Sequence, residues 1–202
     1  HGVHQYLAAS QGHFMSQTPL TLAETASVFG EQLVFQKILK NEKDEGKKKL
    51  IIANKVEDMI NTAVRQIAFL EFERQIHDER KNGEIPLQKI CDIWMEVQGE
   101  SLGPAIKLDK EQYQYSWSYI PHFIHSPFYV YSYAFGDCLV NSLYGVYKSG
   151  KVKNFEEKYL NMLTLGGVQH HKEMLAPFGL NAKDPKFWQS GLDVIKGYVE
   201  MV

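Results

Sequence analysis

Cysteine is scarce. Cys91 and Cys138 are the only two in 202 residues, they lie far apart, and neither sits in a Cys-x-x-Cys pair. That excludes a disulfide-stapled secreted framework and a cysteine-based metal cluster, and both thiols are expected to be reduced and buried. Long apolar runs are also missing: no stretch reaches the roughly 18 to 20 consecutive apolar residues of a membrane helix. The first residues lack the basic region and apolar core of a signal peptide. No membrane partner is therefore expected, and the expected compartment is the cytoplasm. Charge of one sign is lacking too, the formal net charge being -2, which gives no reason to expect nucleic acid as a partner.

What is present is an ordinary globular composition, 44% hydrophobic and 23% charged, in a chain long enough for one sizeable domain. Residues 1–9 read as the end of a helix, and 10–19, with Gly12 and Pro19, as a polar loop. Over 21–40, Leu22, Ala26, Phe29, Leu33, Val34 and Ile38 recur at helical steps and leave a polar stripe of Glu24, Ser27 and Glu31. After a charged turn at 41–46, the pattern over 50–81 is one long helix or two in line, stopped by Asn82-Gly83. Pro86 then starts a shorter helix through Val97, followed by a loop at 99–104.

The segment 113–133 is the most aromatic of the chain and is interrupted by Pro121 and Pro127. Its alternation near 128–133 suits a strand, yet Ala134, Leu139, Val140, Leu143 and Val146 favour a helix running to about residue 148. Three more helices are predicted over 154–165, 172–176 and 185–199. No repeat, low-complexity tract or linker interrupts the pattern, so it predicts an all-α multi-helix bundle without an internal boundary.

The first residues carry a further signal. In thimet-type and oligoendopeptidase F zinc peptidases the metal helix reads His-Glu-x-Gly-His-x-x-His, and His1-Gly2-Val3-His4 resembles its last four positions. The family's next ligand is a glutamate followed by a serine and, seven residues on, another glutamate; Glu24, Ser27 and Glu31 stand in that order. Ile120-Pro121-His122-Phe123 and Phe128-Tyr129-Val130-Tyr131-Ser132-Tyr133 resemble the segment with the substrate-binding histidine and tyrosines. Residues 159–167 and 187–192 resemble the family's C-terminal helices, so the resemblance covers nearly the whole chain.

This resemblance implies part of a larger zincin-type helical peptidase that hydrolyses internal bonds of short peptides. It implies His1 and Glu24 as ligands of one Zn2+ per complete enzyme, with His4 and Glu31 behind them. His4 shares a helix face with His1, and Glu31 shares one with Glu24. It also implies that His122, with one or more of Tyr129, Tyr131 and Tyr133, stabilises the tetrahedral oxyanion of amide hydrolysis through neutral donors. Three alternate helical residues cannot all point the same way, so the spacing leaves the choice among the tyrosines open. His170-His171 cannot share one ion, because adjacent helical side chains diverge.

The first histidine of the motif and its general-base glutamate are not among the residues of this chain. The chain is therefore expected to be the C-terminal part of a catalytic domain, inactive alone, with weak or absent zinc binding. Self-association through uncovered apolar surface is also expected. The competing reading is a non-catalytic helical binding or scaffold module in which the aromatics are core and Glu24 is surface.

Overall fold

Helical spacing becomes helix almost everywhere. The computed structural model describes residues 1–202 and contains no strand, in agreement with the all-α expectation. In chain order the helices are α1 (Gly2–Ala8), α2 (Leu20–Ala23), α3 (Thr25–Asn41), α4 (Glu45–Arg80), α5 (Leu87–Leu102) and α6 (Lys110–Tyr113). There follow α7 (His122–His125), α8 (Tyr131–Ser149), α9 (Phe155–Thr164), α10 (His171–Leu175) and α11 (Pro185–Val199). The pattern over 50–81 is thus one helix, α4, and the expected helix over 21–40 is interrupted at Glu24.

Local chemistry sets several of the ends. Asp184 caps α11 by accepting the Lys186 N–H at 2.9 Å, and Pro185 occupies the first turn, where its missing N–H is harmless. Asp109 caps α6 in the same way through the Glu111 N–H. Gly83 and Gly103, both with positive φ, follow the ends of α4 and α5. Along the exposed side of α4, Arg74 with Glu71 and Lys81 with Asp78 form pairs one turn apart, each worth only a few tenths of a kcal/mol.

The chain divides into two compact units where the sequence shows no boundary: His1–Ile60 together with Phe135–Val202, and Asn61–Ala134. The divisions fall inside α4 and α8, so no linker or breaker marks them. In the first unit Leu22, Phe29, Leu139, Leu143, Tyr159, Leu163 and Leu175 belong to one apolar core. Phe29 stacks on Tyr159 with ring centroids 4.5 Å apart, and the Tyr159 hydroxyl donates to the Thr25 carbonyl. At Gly191 any Cβ would lie 2.9 Å from the Cys138 carbonyl, so glycine there lets α11 close on α8. The second unit has its own core of Phe69, Phe72, Ile93, Trp94, Val97, Ile120 and Val130. Cys91 and Cys138 are free and buried, as expected.

Asp137 sits buried on α8 with Asn141 Nδ2 donating to its carboxylate at 3.1 Å. Burial lifts its carboxyl from the ordinary 3.8 to about 6; Lys55 opposes this and Glu31 reinforces it. Between those two values the folded chain holds a proton that the unfolded chain has released, so stability falls as pH rises through the window. The loss is on the order of 3 kcal/mol. Asp137→Asn is expected to raise the thermal midpoint at pH 8 and to change it far less at pH 4; equal shifts at both pH values would contradict this origin.

Candidate functional site

His1 stands at the N-terminal end of α1, and Glu24 at the interruption between α2 and α3. The backbone of Glu24 (φ -87°, ψ 0°) lies in the bridge region rather than in the helical well. The Ser27 hydroxyl lies 3.1 Å from the Glu24 carbonyl, the oxygen that accepts the Val28 N–H. The same hydroxyl lies 2.8 Å from Glu24 Oε2 and, donating there, fixes the carboxylate. On α8, Gly136 packs directly on Glu24, since a Cβ there would meet the Glu24 Cβ at 3.4 Å.

Across 22 intervening residues, His1 Nε2 and Glu24 Oε2 come within 3.3 Å, at side-chain exposures of 58% and 28%. One imidazole nitrogen and one carboxylate oxygen side by side suit a borderline ion such as zinc. They are two donors, where a catalytic zinc takes three from the protein, and nowhere does the chain gather three or more His, Cys, Asp or Glu side chains into a metal-sized group. A cleft of about 410 Å³ opens beside them, lined in part by His1, His4, Gln5, Ser16, Gln17 and Thr18.

His4 lies in the wall of this cleft, only 5% exposed, with its Nε2 buried and unpartnered. Burial lowers its pKa and favours the neutral ring. Glu31 pairs with Lys55 Nζ. The loop over 12–18 is held to the first unit by main chain: the Gly167 N–H donates to the Met15 carbonyl at 2.8 Å. Gly166, at φ +53°, passes so close to that carbonyl that no side chain fits.

The second unit collects the other candidates. His122 opens α7 and its Nε2 lies 3.3 Å from Tyr133 Oη. The rings of His122 and Tyr129 stack at 5.5 Å, and those of Tyr129 and Tyr133 meet edge-on at 5.3 Å. Tyr131, 37% exposed, takes no part in these contacts. Two of the three tyrosines therefore join the histidine, and Tyr129 does so from a turn ahead of α8 rather than from the helix.

Residues 1–194 match the family described as Peptidase family M3. The chain belongs to this family. The M3 chain is 31% identical over 204 residues to an oligoendopeptidase F homolog of Borreliella burgdorferi, covering 100% of itself and 34% of that protein. It is 30% identical over 190 residues to the oligopeptidase PepF of Bacillus subtilis, covering 92% of itself and 28% of the relative. A solved structure from Chlamydophila abortus superposes with a TM-score of 0.85 at 28% identity, over 98% of this chain and 33% of that one. Oligoendopeptidase-F of Enterococcus faecium superposes at 0.75 over 100% of this chain and 37% of the other; at 24% identity it speaks for the all-helical fold alone. The M3 chain thus spans about a third of the length of the curated relatives it matches. None of its helices is long and apolar enough to cross a membrane.

Proposed function

We propose that this chain is the C-terminal part of the catalytic domain of a cytoplasmic zinc endopeptidase that hydrolyses internal bonds of short oligopeptides. The observation that carries the reading is the pairing of His1 Nε2 with Glu24 Oε2 across the chain, in a member of a peptidase family. His1 and Glu24 would hold the metal, and an upstream histidine and glutamate of the complete protein would supply the third ligand and the base. When bound, zinc provides an activated water and polarises the scissile carbonyl.

The chain's own residues bind and orient. Ser27 holds the Glu24 carboxylate, and His4 and Glu31 act behind the ligands. His122 Nε2 and Tyr133 Oη stand within hydrogen-bond reach. With the imidazole donating, the phenol accepts and turns its own proton toward the substrate oxyanion, a polarised neutral donor of the kind that amide hydrolysis needs. Tyr129 stacks on the imidazole and fixes its plane.

Two measurements test this reading on the 202-residue chain. With two protein donors, it is expected to take up zinc well below one equivalent at micromolar metal and to cleave no peptide, whereas the complete protein does both. Near-stoichiometric zinc in the chain alone would overturn the assignment of its donors. Separately, exposed Val3, Leu33, Val34 and Leu160 are expected to drive self-association at high concentration; light scattering that shows a strict monomer would count against it.

A further inference from the structure

The aromatic cluster depends on an unusual turn. Phe128, the residue before Tyr129, has φ +59°, a left-handed conformation that a residue bearing a Cβ keeps only where its surroundings over-determine it. Two neighbours on α4 hold it. Glu73, 2% exposed, accepts the Phe128 N–H on Oε1 at 2.8 Å. One helical turn on, His77 lays its ring against the Phe128 ring, with centroids 4.7 Å apart.

Glu73 is costly where it stands. Its Oε2 is buried without a hydrogen-bond partner. Burial raises its pKa, opposed by the Phe128 N–H and by the charges of His77 and His122. An apolar side chain would serve simple packing at least as well. What the carboxylate adds is a strong acceptor for one backbone amide, at the point where the chain must turn left-handed.

We propose that Glu73 is the positioning residue of this cluster: its buried carboxylate holds the turn at Phe128 that seats Tyr129 on His122. The functional weight of this role rests on reading His122, Tyr129 and Tyr133 as the substrate-binding group.

Nuclear magnetic resonance on the full 202-residue chain, without substrate, tests the turn itself. Glu73→Leu is expected to speed exchange of the Phe128 amide about tenfold or more, as befits loss of a hydrogen bond to a carboxylate. It is also expected to abolish the Overhauser effect between the His122 and Tyr129 rings while far-ultraviolet circular dichroism stays wild type. Glu73→Gln, which keeps an acceptor oxygen, retains both signals. Adding Phe128→Gly to Glu73→Leu restores the ring stacking, because glycine takes the left-handed conformation unaided.

Wild-type exchange and ring stacking in Glu73→Leu overturn the proposal, as does failure of Phe128→Gly to rescue. Should Glu73→Leu alone not fold, residue 73 is varied in the Phe128→Gly background. There, stacking of the two rings that is indifferent to residue 73 supports the role, and its disappearance with leucine overturns it. An unchanged kcat/KM for His122→Ala in the complete enzyme would remove the substrate reading while leaving the turn's anchor in place.

Discussion

Glu24→Gln in the complete peptidase is expected to reduce kcat/KM by more than 100-fold, on the order of 3 kcal/mol of transition-state stabilisation, and to strip most of the zinc. Glutamine keeps the shape and an oxygen that the Ser27 hydroxyl can still reach, so the interruption between α2 and α3 should persist and the fold should be spared. What disappears is the anionic oxygen beside His1 Nε2. Ser27→Ala is the internal control. It removes only the hydroxyl that orients the carboxylate, and loss of an outer partner typically costs about 10- to 100-fold. Metal content by elemental analysis and cleavage of a quenched peptide read both variants. Zinc and activity within about tenfold of wild type in Glu24→Gln would take Glu24 out of the ligand set.

Trp94→Ala is expected to destabilise the protein by about 3 to 5 kcal/mol, the largest stability effect among single core truncations in the second unit. The indole is 1% exposed and meets Phe69, Phe72, Tyr113 and Phe123 at ring separations of 5.2 to 6.3 Å. Its Nε1–H also donates to the Tyr113 carbonyl at 3.0 Å, so truncation leaves both a void and an unpaired acceptor. Phe123 adjoins His122, which carries the loosening to the candidate substrate group. Trp94→Phe keeps most of the apolar area and loses the N–H, and should cost about 1 to 3 kcal/mol. Urea denaturation measures both, and a loss under about 1.5 kcal/mol for Trp94→Ala would show that the pocket collapses around the vacancy.

The helices were legible because apolar residues recur at three and four steps throughout. The interruption at Glu24 was not, since no glycine or proline marks it; it coincides with a serine hydroxyl that reaches back to the Glu24 carboxylate. The two-unit division was hidden because it falls inside two helices. Of the site, the pairing of His1 with Glu24 was legible only through family resemblance, as spacing alone cannot bring together residues 23 positions apart. That Tyr129 and Tyr133 rather than Tyr131 meet His122 was not legible either: Tyr129 follows a left-handed Phe128, and phenylalanine carries no such preference. Glu73 left a trace that could have been read. It lies in the charged run Glu71-Phe72-Glu73-Arg74, which looks solvated, yet with Phe69, Phe72 and Ile76 it completes the i, i+3, i+4, i+7 stripe of a buried face.

The tie between Gly167 and Met15 is made by main-chain atoms on both sides, so it is indifferent to which side chains decorate positions 13–18. His13 and Phe14 are exposed there, while Ser16, Gln17 and Thr18 border the cleft. A combinatorial library randomised at those five codons should yield a high fraction of well-folded members whose cleft walls differ, whereas one that touches Gly166 or Gly167 should yield few. Descent with modification has the same freedom: this rim can diversify its side chains without disturbing the scaffold that carries it.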